Sequence, residues 1–142
     1  MASKTSLYQQ LDRSMPVAPL SIIALPSAIQ LGGRTSSYIS SFRKEAAVSR
    51  EEIEYHEGYI RDSYLADVLL ERRPNGEGKA VLRDSVRGRD VFILVDVMNW
   101  TVTYRINGYV NHMSPDDHFQ DLKRVISAIQ GKAHRLTVIM PF

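Results

Sequence analysis

The feature that most constrains this chain is residues 86–142, where VRGRDVFILVDV is followed, after an interruption, by SPDDHFQDLKRVISAIQGKAHRLTVIMPF. The first part contains an unbroken apolar run, which predicts a central strand covered on both faces. The second opens on Ser114-Pro115-Asp116-Asp117. A serine can cap a helix, proline suits the first helical position, and the helix dipole favours carboxylates there. Phe119, Leu122, Val125, Ile126 and Ile129 then form one apolar stripe, Gly131 is placed to end the helix, and His118 falls off the stripe and is expected to face solvent. Residues 136–140 form a last apolar strand, closed by Pro141. Two strands joined by such a helix make one crossover unit of a parallel sheet, and everything before it must pack on that unit.

Upstream, residues 1–19 form a polar lead-in punctuated by Pro16 and Pro19, and the run LSIIAL from Leu20 predicts a buried first strand ended by Pro26. Gly32-Gly33 breaks the next segment, after which a short helix is expected over about 36–47, capped by Thr35 or Ser36, with Tyr38, Ile39 and Phe42 at helical spacing. Gly32-Gly33-Arg34-Thr35 has two readings, a phosphate-cradling turn at a helix start or a flexible turn. The second weighs more, because neither a Walker lysine nor GxGxxG spacing accompanies the pair. Residues 45–62 are charge-dense, with Glu51, Glu52, Glu54 and Glu57 around His56, and read as a solvated helix or connector carrying a surface histidine.

YLADVLLERR and KAVLRD flank Pro74-Asn75-Gly76-Glu77-Gly78, and Asn-Gly between strand-like runs predicts an antiparallel hairpin. A second, smaller hairpin is expected around Asn107-Gly108, at the carboxyl end of the central strand. Its aromatic residues Trp100, Tyr104 and Tyr109 could stack on a base, although such residues more often pack on a partner strand or subunit. The fold class is therefore α/β, one domain of 142 residues, long enough to bury a core.

Against these elements, little reactive chemistry is visible. There is no cysteine, so thiolate chemistry is excluded, and the four histidines show no HExxH or similar zinc-ligand spacing. A GxSxG nucleophile elbow is also missing. A net charge of +2, from 18 basic and 16 acidic residues, gives nucleic-acid binding little support. No apolar run approaches the roughly 18 residues of a membrane span, and the N-terminal segment has no signal-peptide-like apolar stretch, so a cytoplasmic protein is expected. Asp96 is the one carboxylate near the carboxyl end of the central strand, where ligand sites of α/β sheets gather. It could bind a cation or a sugar hydroxyl, or pair structurally with the Arg105 region.

NGEGKAVLRDSVRGRDVFIL resembles the N-terminal half of ribose-phosphate pyrophosphokinases, the phosphoribosyl diphosphate synthases. Members of that family carry a loop of the form FSDGE, a strand, then VRGxDVFI at the same spacing. Their DALKRA-type helix followed by RITAVIPYF is similar to Asp121-Leu122-Lys123-Arg124 through 135–142 here. The resemblance implies a phosphoribosyltransferase-like parallel sheet flanked by helices, with a protruding antiparallel β-hairpin. It also implies an enzyme that transfers the diphosphate of ATP to ribose 5-phosphate, using Mg2+ and acting as a homo-oligomer without nucleic-acid or membrane partners. By matching position, the family's adenine-binding loop places Arg73 where the family has an aromatic residue, Asn75 where it has aspartate, and Glu77 on its glutamate. In the family that loop reaches across a subunit boundary. The family's phosphate-binding, metal-side and ribose-binding residues follow the PYF position. The expectation is thus an N-terminal domain over 20–142 with the C-terminal half absent, no catalytic residue or metal ligand of its own, and no activity alone. The alternative is a non-catalytic regulatory or scaffolding relative that lost the adenine loop. A third reading is an unrelated small α/β binding module.

Overall fold

The computed structural model describes residues 16–48 and 58–141. Its centre is a parallel sheet of three strands, β1 (Leu20–Ala24), β4 (Asp90–Leu94) and β7 (Arg135–Ile139), with β4 in the middle. Leu20 pairs with Asp90 and Asp90 with Arg135, so the three strands run in one register from the amino edge. Two hairpins lie outside this sheet, β2 (Val68–Arg72) with β3 (Gly78–Leu82), and β5 (Thr103–Ile106) with β6 (Tyr109–His112). The helices are α1 (Ile29–Val48), entered through a 3-10 turn at Pro26–Ala28, and α2 (Pro115–Ile129).

Alternation along β4 explains the layers. Val91, Ile93 and Val95 join Ile23, then Leu122, Val125 and Ile129 of α2, in one buried cluster that also receives Val68, Leu70, Ala80 and Leu82 of the first hairpin. Leu94 and Phe92 face the other way with Leu20 and Ile22, and are covered by Ala28, Ile39 and the fully buried Tyr64. The central strand is covered on both faces, as its apolar run requires. The body of the β2–β3 hairpin is likewise packed, and its exposed part is the tip at 73–77.

α2 begins where the sequence places it. Ser114 Oγ accepts from Asp117 N (3.2 Å) while Asp117 Oδ2 accepts from Ser114 N (2.9 Å), a reciprocal capping box. Its last turn ends on Gln130, left-handed at φ 52°, one residue before the glycine expected to stop it. The buried face, however, is His118, Asp121, Leu122, Val125 and Ile129, while Phe119 (43% exposed) and Ile126 (37%) lie outside. His118 is 1% exposed, which corrects the expectation of a solvent-facing histidine. The physical reason is that both polar side chains on the inner face find partners: His118 Nε2 with the Asn99 carbonyl, and Asp121 with two arginines.

α1 corrects a second expectation. The Gly32-Gly33 pair neither breaks the helix nor forms a phosphate turn; both residues lie inside it, and Thr35 and Ser36 are interior positions rather than caps. A Cβ on Gly32 would overlap Ala24 Cβ and touch Leu65 and Leu94, so the missing side chain lets α1 lie close against the sheet. That packing outweighs the helix-propensity cost of glycine, about 1 kcal/mol. The inner stripe continues through Ser36 and Ser40, whose hydroxyls bond Tyr64 N (2.9 Å) and Arg61 O (2.8 Å). Of the residues noted at helical spacing, Ile39 packs inward while Tyr38 is 67% exposed. Residues 64–66 run beside β1 rather than in the hairpin, with Ile22 N donating to Tyr64 O and Ala66 N to Ile22 O. The lead-in at 1–15 and the acidic stretch with Glu51, Glu52, Glu54, His56 and Glu57 lie outside the described residues.

Candidate functional site

A cleft of about 700 Å³ opens at the carboxyl edge of the parallel strands. Its walls include Ser27 and Ile29 after β1, Arg34 of α1, Asp96 and Trp100 after β4, and Pro141 after β7. The loop at 96–101 is held by three hydrogen bonds, two to Ser27 and one to His118. Asp96 N donates to Ser27 Oγ (3.1 Å), Asn99 Nδ2 donates to Ser27 O (2.9 Å), and the Asn99 carbonyl meets the His118 ring at 2.9 Å. Asp96 Oδ1 accepts from Met98 N at 3.0 Å, so its carboxylate closes a local turn instead of pairing with the Arg105 region. Trp100, 61% exposed, stacks on His112 with ring centroids 5.0 Å apart, and His112 Nδ1 bonds the Trp100 carbonyl.

The other three residues singled out by resemblance, Arg73, Asn75 and Glu77, share the exposed tip between β2 and β3. Arg73 N donates to Glu77 O (2.8 Å) and Gly76 N to Arg73 O (2.9 Å), which sets a tight turn with Gly76 at φ 88°. Asn75 Oδ1 accepts from Glu77 N at 3.0 Å. No ion pair or side-chain hydrogen bond among the described residues engages Asn75 Nδ2, the Glu77 carboxylate or the Arg73 guanidinium. A donor, an acceptor and a guanidinium plane suit the edge and face of an aminopurine. The tip residues are absent from the cleft lining, so the structure groups three of the four candidates and leaves Asp96 apart.

Below the tip, a buried polar lock fixes the hairpin to α2. Arg72 reaches Asp121 at 2.8 Å with side chains only 8% and 3% exposed, and Arg124 reaches the same carboxylate at 2.8 Å. The Arg124 guanidinium lies where a Cβ on Gly78 would sit, so the glycine at the start of β3 makes room for it. Arg72 also lies over the Tyr104 ring at 5.2 Å. Tyr104 thus packs on the neighbouring hairpin, the reading that had the greater weight.

At the opposite, amino edge of the sheet, the VRGRD turn has a structural role. Val86 is buried, Arg89 donates to Ser21 Oγ (3.1 Å), and Asp90 binds both His134 Nδ1 and Arg135 Nη2 at 3.0 Å. Partial burial pushes the Asp90 carboxyl pKa up, but the His134 and Arg135 contacts outweigh it and hold the group below the usual carboxylate value. Asp117 is depressed in the same way: burial raises its pKa, and the hydrogen bonds from Ser114 more than offset that.

Mg2+ prefers octahedral oxygen ligands, with one or two carboxylates completed by water and substrate phosphates. Among the described residues no three His, Asp or Glu side chains come together as a metal-binding group, so none is assigned to Mg2+. No helix among them is long and apolar enough to cross a membrane. Sequence reasoning missed Asn99 and His118, which shape the cleft loop. The available signal was the spacing 118, 121, 122, 125, 129, a clean helical face once polar residues are admitted to it.

No curated protein sequence matches the chain. A model of the family described as the N-terminal domain of ribose phosphate pyrophosphokinase matches residues 27–142. That span holds β4 and β7 of the parallel sheet, both helices, both hairpins and all of the cleft lining except Pro26, and on it the chain belongs to the family of the N-terminal domain of ribose phosphate pyrophosphokinase.

Proposed function

We propose that this chain forms the nucleotide-binding part of an enzyme that transfers diphosphate from ATP to the C1 hydroxyl of ribose 5-phosphate. The observation that carries this reading is the separation of two complementary half-sites. A base-reading tip, Arg73, Asn75 and Glu77, stands apart from a cleft with Asp96 and Arg34 at the strand ends. One chain does not bring them together, so a tip from one protomer serves the cleft of another in a homo-oligomer. Arg73 stacks on the adenine ring, Asn75 Nδ2 donates to a ring nitrogen, and the Glu77 carboxylate accepts from the amino group. Asp96 accepts from a ribose hydroxyl at the cleft. Phosphoryl transfer asks mainly for positioning and charge neutralisation, and Mg2+ supplies part of that neutralisation when bound. In this reading the phosphate and ribose 5-phosphate ends of the reaction use residues other than those named here, and these 142 residues do not turn over alone. A cytoplasmic place of action belongs to the same reading.

Trp100, the single tryptophan, lines the cleft and reports on it. Titrating ATP against its fluorescence is expected to give a saturable change that Glu77→Ala weakens about tenfold. A titration indifferent to Glu77→Ala would remove the tip from the site. A coupled assay in which the 142 residues make phosphoribosyl diphosphate would refute their inactivity. The changed loop residues favour a second reading, a non-catalytic regulatory or scaffolding relative: Arg73 stands where the family loop has its aromatic residue and Asn75 where it has aspartate. Absence of any ATP response in the wild-type chain would favour that reading.

A further inference from the structure

We infer that the β5–β6 hairpin is a brace for the β2–β3 tip, with Asn107 and Tyr104 as positioning residues that set where Arg73, Asn75 and Glu77 stand. The functional consequence rests on the tip being a nucleotide-contacting element; the brace itself does not. Asn107 is the left-handed residue of the second turn, at φ 50°, followed by Gly108 at φ 85°. Its Nδ2 donates to the Pro74 carbonyl at 3.3 Å, the peptide oxygen lying between Arg73 and Asn75. Two residues earlier, the Arg72 guanidinium covers the Tyr104 ring while Asp121 holds it from the α2 side. The first hairpin is thus gripped at Arg72 and again at Pro74, both times by the second hairpin. Beyond Pro74, among the described residues, the tip has only its own turn bonds, those of Gly76 N, Glu77 N and Arg73 N. A two-stranded ribbon ending in such a turn is marginal by itself, so contacts from outside decide how far the tip is ordered.

This assignment also gives a use to two of the aromatic residues around the second hairpin. Tyr104 gives a face to Arg72, and Trp100 gives one to His112, so both are used inside the chain. The turn asparagine is selected twice, because Asn-Gly suits a turn with two positive φ angles and its side chain supplies the amide that reaches Pro74.

Asn107→Gly separates those two uses. A Gly-Gly turn keeps both positive φ angles, and only the side-chain amide is removed. Amide hydrogen exchange would be read by NMR at Gly76 and Glu77, whose N–H groups close the tip, with Ile93 in β4 as the internal control for an intact fold. The brace requires Gly76 and Glu77 to exchange about twofold to tenfold faster in the variant, the range of one net hydrogen bond, with Ile93 unchanged. Unchanged exchange at Gly76 and Glu77 overturns it, whether or not the protein binds ATP. If exchange rises and the wild type shows no ATP response, the brace stands and the nucleotide reading fails. If the wild type binds ATP, the Kd is expected to rise in Asn107→Gly by a similar factor, and a Kd unaffected by faster exchange overturns the positioning role.

Discussion

The parallel unit and the pair of hairpins are built from different forces. In the unit, Ile23, Ile93, Val95 and Val125 are fully buried, so its stability comes from apolar burial that no single polar contact controls. The β2–β3 hairpin shares that burial through Val68, Leu70, Ala80 and Leu82, but in the β5–β6 hairpin Tyr109 is 76% and Val110 54% exposed, and there and at the β2–β3 tip position is set by turn residues and a few polar contacts, Arg72 with Tyr104 and Asn107 with Pro74. The difference teaches where function is placed. A scaffold of close-packed strands tolerates little adjustment, whereas a ribbon held at two or three points can present polar side chains whose geometry those points tune.

The largest expected effect strikes the joint between the two regions. Asp121→Ala leaves the buried Arg72 guanidinium unpaired and is expected to cost about 3–5 kcal/mol in chemical denaturation. A loss below about 1 kcal/mol would mean that apolar packing alone seats the hairpin on α2. Ile93→Ala in the middle of β4 is expected to cost about 2–5 kcal/mol, while Val110→Ala in β6 stays within about 0.5 kcal/mol. Equal costs at the two sites would erase the contrast. Gly32→Ala is expected to lose about 1–3 kcal/mol, since the added methyl group meets Ala24 Cβ across a packed helix–strand contact. A neutral result there would show that α1 can move outward freely.

The smallest effect is the pH dependence, and it belongs to the parallel unit. Asp90 and Asp117 are both depressed from the ordinary value of 3.8, so the folded form binds fewer protons than the unfolded chain as pH falls. Their contribution is complete above that ordinary value and is lost as pH drops through their lower folded values. Asp117→Asn, which removes the titration at the helix cap, should flatten part of the acid limb of stability. An unchanged acid limb in both Asp90→Asn and Asp117→Asn would show that other carboxylates govern it.

Much of this fold was legible because its signals are local or periodic. The run at 90–95, the Ser114-Pro115 start of α2 and the two Asn-Gly turns each specify their element within a few residues. The start and inner face of α1 are not legible locally, because Gly32 looks like a breaker and Ser36 like a cap until Ala24 of β1 and the backbone of Tyr64 that they meet are known. His118 was misplaced for the same reason: its partner, the Asn99 carbonyl, is 19 residues away in sequence. The candidate residues came from two kinds of signal, register with the family loop for Arg73, Asn75 and Glu77 and strand position for Asp96, and the structure puts the first three on one exposed turn and Asp96 in the cleft lining. The Asn107 to Pro74 contact spans 33 residues, and no spacing rule encodes it.

The proposal that two protomers share one site is tested most directly by mixing. Glu77→Ala carries a defective tip and an intact cleft, and Asp96→Asn the reverse, while its amide oxygen can still accept from Met98 N. Each variant alone is expected to show a weakened ATP response at Trp100. After subunit exchange, an equal mixture should recover about a quarter of the wild-type sites, those that pair one good tip with one good cleft. A mixture that responds only as the average of its two components would contradict a site built from two chains.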